Sequence, residues 1–82
     1  MRARIHVTLK KSVLDPQGKA VQQALSVLGF REVRDVRVGK YIELELEEGD
    51  KLKAEERLRE MSERLLANLV IEEYALEMDE EE

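Results

Sequence analysis

The chain has no cysteine, no tryptophan, one proline and one histidine, and aromatic residues fill only 4% of its 82 positions. Each shortage closes a route. Without cysteine there is no disulfide framework and no thiol chemistry. A single histidine, His6, is too few for most transition-metal centres. No stretch approaches the roughly 20 apolar residues that a membrane helix needs. Met1-Arg2-Ala3-Arg4 leads into alternation and not into an apolar signal segment. The expectation is a cytoplasmic protein without membrane contact, built as one domain over residues 1–82. A chain of this length buries only about 60% of its unfolded surface. Oligomerisation is the device left to complete such a core.

Charge is abundant instead. Charged residues make up 40% of the chain, with a formal net charge of −5. The distribution is uneven: residues 2–41 hold nine Lys/Arg against three Asp/Glu, and residues 42–82 hold five against sixteen. A nucleic-acid binder needs a dominant basic face, and here the acidic half outweighs the basic one. No nucleic-acid partner is expected.

Residues 1–10 alternate strictly, with Met1, Ala3, Ile5, Val7 and Leu9 on one side, which is the period of a half-buried strand. Asp15-Pro16-Gln17-Gly18 then reads as a helix start, with Asp15 as cap and Pro16 at the first helical position. Ala20, Val21, Ala24, Leu25 and Leu28 recur at helical spacing, and Gly29 marks the end, so the spacing predicts a helix over 16–28. Residues 31–47 read as a hairpin: Val36 and Val38 before a Gly39-Lys40 turn, and Ile42, Leu44 and Leu46 after it. Asp50 caps a second helix whose inner face is Ala54, Leu58, Met61 and Leu65, ending near Asn68. Val70–Met78 is a last strand, with Tyr74, Leu76 and Met78 on one face, and 79–82 form an acidic tail expected to be disordered. The order β-α-β-β-α-β predicts an α+β, ferredoxin-like fold: a four-stranded antiparallel sheet with two helices on one face.

In that fold the first strand lies between the third and the last. Its outer residues Arg2, Arg4 and Lys10 then face Glu43, Glu45 and Glu47 on one side and Glu73 and Glu77 on the other. The lopsided charge becomes cross-strand pairing, each pair contributing roughly 0.2–1 kcal/mol. The face without helices is expected to bury itself on a second copy, by sheets meeting or edge strands pairing.

No catalytic constellation emerges: there is no Gly-x-Ser-x-Gly, no phosphate-binding Gly-rich loop and no partner for His6. Two motifs carry alternative readings. Asp15-Pro16-Gln17-Gly18 is explained by turn chemistry alone. Beside Lys10 and Lys11 it is equally a helix start that meets an anion or a partner's carboxylate, with Gly18 admitting another backbone. Arg37-Val38-Gly39-Lys40 is either a solvated turn or a pair of cations presented to a partner's acidic groups.

Taken in order, Leu9-Lys10, Val13 to Gly18, Ala24-Leu25, Leu28-Gly29-Phe30, Val36 to Lys40, Ile42 to Leu46, Leu66-Ala67-Asn68 and Val70-Ile71-Glu72 resemble the PurS family over nearly the whole chain. The one departure is Leu69, where many relatives carry proline. The resemblance implies a non-catalytic subunit of formylglycinamidine ribonucleotide (FGAM) synthase in purine biosynthesis, with the PurS fold. Such a subunit forms a homodimer or a higher assembly, joins the ligase subunit PurL to the glutaminase subunit PurQ, and supports ammonia transfer. It implies no cofactor on this chain, with ATP and Mg used by the large subunit. Lys11, Asp15, Gln17, Gly18, Arg37 and Lys40 are then the expected docking surface. Two other classes stay open: a small-molecule regulatory module with a ligand at a dimer interface, and an RNA-binding module. The latter needs stacking aromatics on the sheet, and Phe30, Tyr41 and Tyr74 do not interleave with the basic strand.

Overall fold

Period-two patterning sends Ala3, Ile5 and Val7 to one side of the first strand, where each is at most 1% exposed. The computed structural model, which describes residues 1–79, sets this strand, β1 (Arg2–Leu9), at the centre of an antiparallel sheet. Its neighbours are β2 (Lys40–Glu45) and β3 (Glu72–Asp79), in the order β2-β1-β3. Arg4 lies opposite Glu43 on one side and Glu77 on the other. Helices α1 (Pro16–Val27) and α2 (Lys51–Met61) complete the chain, and α2 runs on into a π-helical turn, Ser62–Leu66.

Both helices start as their caps dictate. The Asp15 carboxylate accepts from the Gly18 amide at 3.0 Å, and Asp50 from the Leu52 amide at 3.0 Å. Gly29, at φ 104°, ends α1 and lets the Phe30 amide reach the Leu25 carbonyl at 2.9 Å. The exposed side of α2 carries the anticipated four-apart pairs, Glu55–Arg59 at 2.7 Å and Glu60–Arg64 at 3.1 Å.

Several expectations need correction. The sheet has three strands and not four, and no 31–47 hairpin forms. Gly39-Lys40 is the entry to β2 and not a turn, since Lys40 already pairs with Val7. Residues 33–38 bond elsewhere. The Gln22 side chain donates to the Arg34 carbonyl at 2.7 Å, and the Val38 amide donates to Asp15 at 2.8 Å. The helices also do not share the sheet's apolar face. Ala54 and Leu58 of α2 are fully buried, and Leu58 joins Ala3, Ile5, Val7 and Ala67 in the core, whereas α1 buries only Gly18. Leu65 is not on the inner face of the second helix: it is 83% exposed. The π turn inserts a residue, closed by the Ala67 amide on the Ser62 carbonyl at 2.8 Å, and so shifts the helical phase. Ser62 is buried instead, its hydroxyl on the Leu58 carbonyl at 2.8 Å. Asp79, assigned to the tail from sequence, ends β3, and 80–82 lie outside the described residues.

Leu58→Ala removes the largest side chain that α2 lays on the sheet and should cost about 3 kcal/mol. Leu52→Ala, at a residue 74% exposed, should change stability by less than about 0.5 kcal/mol. Urea midpoints at one protein concentration test both; equal effects would mean that α2 packs otherwise.

Candidate functional site

The six residues singled out from sequence gather at one end of β1, but they divide into two kinds. Asp15, Gly18 and Arg37 are built into the joint where α1 meets the sheet. Asp15 is 5% exposed, and its carboxylate bridges the Gly18 amide and the Val38 amide, tying the helix start to the returning chain. Those two hydrogen bonds, Gly18 first, with the Arg37 charge nearby, hold its carboxyl below the ordinary aspartate range against the opposing effect of burial. Arg37 donates to the carbonyls of Leu9 at 3.3 Å, Lys10 at 2.5 Å and Val13 at 3.1 Å, so its guanidinium organises the 10–14 loop. A Cβ on Gly18 would overlap the Val36 carbonyl, which is why only glycine lets α1 lie this close to the chain.

Lys11, Gln17 and Lys40 are exposed around that joint. Gln17 and Lys40 line a cleft of about 320 Å³ with Asp15, Thr8 and Glu72. The cleft thus offers an ammonium group, an amide and a carboxylate beside backbone. Among the described residues no cluster of three or more His, Asp or Glu is placed to hold a metal ion.

The helix-free face of the sheet carries the anticipated Arg4–Glu77 pair, and Asp79, which the sequence reading leaves in the tail, joins it. Arg4 Nε meets Glu77 at 3.0 Å and its Nη1 meets Asp79 at 2.5 Å, which holds both carboxylates below their ordinary range. His6 Nε2 lies 3.3 Å from Glu77. Its ring sits 5.1 Å from the Tyr41 ring, tilted by 47°. An aromatic thus does pack against the basic strand, contrary to the sequence reading. The cross-strand register Ile5↔Ile42 and His6↔Tyr41 was the signal for it.

Sequence reasoning missed a second feature. A groove of about 390 Å³ runs between α2 and β2, floored by Leu44, Met61, Leu65 and Leu66 and rimmed by Arg57 and Arg64. The π turn creates it by bringing Leu65 out.

The family model for PurS, phosphoribosylformylglycinamidine (FGAM) synthase, matches residues 2–80. The chain is 51% identical over 79 residues to the PurS subunit of phosphoribosylformylglycinamidine synthase from Bacillus subtilis, covering 96% of this chain and 93% of the relative. Its fold is similar to that of Methanocaldococcus jannaschii PurS, with a TM-score of 0.89, 40% identity and coverage of 99% and 98% of the two chains. A chain in the structure of PurLQS from Thermotoga maritima matches with a TM-score of 0.86 at 36% identity, over 93% of both chains.

Gly18→Ala should lower stability by about 3 kcal/mol through overpacking against backbone. Asp15 also sets a pH dependence. Its folded pKa is depressed, so its contribution is complete above about pH 4 and is lost as pH falls through the depressed value. Asp15→Asn should flatten that part of the stability curve between pH 2 and 5, leaving the share of Glu77 and Asp79. An unchanged curve would remove Asp15 from the joint.

Proposed function

The chain belongs to the PurS family of FGAM synthase subunits, and from that premise we propose that it is the non-catalytic bridging subunit of the complex. In this reading it joins the ATP-dependent ligase subunit PurL to the glutaminase subunit PurQ and supports the passage of ammonia between them. It works in the cytoplasm as a homodimer, binds no cofactor of its own, and leaves ATP and magnesium to the large subunit. The observation that carries the reading is the likeness, over 93% of both chains, to a chain in PurLQS from Thermotoga maritima. The absence of any helix long and apolar enough to cross a membrane, among the described residues, is compatible with it.

Docking falls to the end of the sheet where Lys11, Gln17 and Lys40 face outward. Asp15, Gly18 and Arg37 belong to the same surface as the residues that fix its shape. Exposed cations of this kind steer association and select partners more than they add affinity.

Reconstitution tests the bridging role. Mixed with the large and glutaminase subunits of the same organism, the chain should be required for glutamine-dependent amidine formation. The ammonia-dependent reaction of the large subunit should proceed without it. Equal glutamine-dependent rates in its absence would overturn the role. The double variant Lys11→Glu/Lys40→Glu should weaken complex assembly roughly tenfold or more at low salt while leaving the fold intact. Undiminished assembly would move docking to another surface.

A further inference from the structure

Helix α2 packs on the sheet through Ala54 and Leu58, and at its end two adjacent leucines compete for one place. In a regular α-helix of about 3.6 residues per turn, the steps from Leu58 to Leu65 return to within about 20° of the same direction. Leu65 would then lie over the sheet, and Leu66 would point about 80° aside. The structure has the reverse. The π turn Ser62–Leu66 takes up an extra residue, so Leu66 is half-buried against the core while Leu65 is 83% exposed. Both side chains are leucine. The core therefore receives the same volume in either phase, and only the backbone and the outward residue differ.

The turn carries its own cause. Ser62 is fully buried, and its hydroxyl donates to the Leu58 carbonyl at 2.8 Å, an acceptor that its own amide also uses. Such back-bonding weakens the regular ladder and bends a helix. The Ala67 amide then donates to the Ser62 carbonyl at 2.8 Å, one residue beyond the α spacing. Fixed points bracket the change. On one side the Tyr74 hydroxyl donates to the Glu63 carboxylate at 3.0 Å. On the other, the Asn68 amide donates to the Glu72 carboxylate at 2.7 Å, and the Glu72 amide to the Asn68 carbonyl at 2.6 Å. Residues 64–67 lie between them. Ala67 is already extended, at φ −131° and ψ 142°, and can take up the residue that a regular turn releases.

We propose that the end of α2 is a two-phase switch. Residues 64–67 pass between the π turn, which turns Leu65 outward onto the groove, and a regular α turn, which buries Leu65 in the place of Leu66. The π phase is the major state of the chain as it stands, and the α phase a minor one. The exchange remodels the groove between α2 and β2, whose floor includes Leu65 in the π phase and loses it in the α phase. The switch goes beyond the bridging role and does not depend on it.

Nuclear magnetic resonance couplings across backbone hydrogen bonds, measured on the isotope-labelled full-length chain, read the phase directly. In the unaltered protein the Ala67 amide should couple to the Ser62 carbonyl. Leu66→Gln puts a polar group in the buried place, so the leucines should exchange: that coupling is lost, and the amide of residue 66 couples to the Ser62 carbonyl instead. Leu65→Gln, the same side chain one position earlier, should keep the π pattern. The same pattern in both variants overturns the switch. Urea unfolding at one protein concentration gives a second reading. An exchange of leucines should hold the folding constants of the two variants within about threefold of each other. A polar group trapped in the core would lower that of Leu66→Gln roughly thirtyfold or more, and this too overturns the switch. Should Leu66→Gln fail to fold, Ser62→Ala decides. It removes the back-bond and leaves the Leu58 carbonyl to the backbone amide, so the α pattern should become the major one. A Ser62→Ala chain that keeps the π pattern alone sinks the idea. None of these readouts involves FGAM synthase activity, so a failed bridging role and a failed switch are told apart.

Discussion

Everything in this small fold hangs on β1. Among the described residues it alone touches both other strands, so β2 and β3 share a sheet through it. Its two faces perform different tasks. Ile5 and Val7, buried beneath Leu58, each contribute roughly 1.5–3 kcal/mol through loss of apolar surface. Arg4 and His6 on the opposite face make solvent-screened contacts to Glu77 that contribute far less. Burial therefore stabilises the sheet and fixes its register, and the cross-strand charges favour the same pairing. A slip of one residue would place Arg2, Arg4 and His6 under α2 and send the core to solvent.

Where the apolar core ends, polar geometry takes over. The Asp15 carboxylate and the Arg37 guanidinium hold the start of α1 to the sheet through hydrogen bonds to backbone. In the proposed docking surface, residues of this kind would fix the shape without touching a partner. Lys11, Gln17 and Lys40 keep their positions because Asp15, Gly18 and Arg37 fix the chain beneath them. The two readings of the Asp15 to Gly18 motif, turn chemistry and partner contact, are compatible for that reason.

Much of this was legible in the sequence because it is local. Alternation in β1 and β3, the caps Asp15 and Asp50, and the terminator Gly29 each act within a few residues of chain. The acidic neighbours of a basic strand were legible too, since the strand order follows from topology and Arg4 then has to meet Glu77. The hairpin was misread because Val36 and Val38 have the alternation of a strand, while the Gln22 and Asp15 side chains, distant in sequence, take up the backbone groups that a ladder would need. Leu65 was misread because helical spacing assumes a constant phase, and a π turn breaks it. The exposed α1 was beyond any single-chain pattern: its stripe is as amphipathic as one that packs at home, and periodicity does not say against what.

The central position of β1 also orders events during synthesis. β1 leaves the ribosome before both of its partners, and Arg2 finds its opposite numbers at Glu45 and at Asp79. Nearly the whole chain must emerge before the sheet is complete, which gives the small domain a high contact order and a slow final step. Until then an alternating strand with two unsatisfied edges is open to pairing with another nascent chain. The arginines of β1 are the natural guard over that interval, because two such strands side by side would repel one another while their carboxylate partners are still to be made.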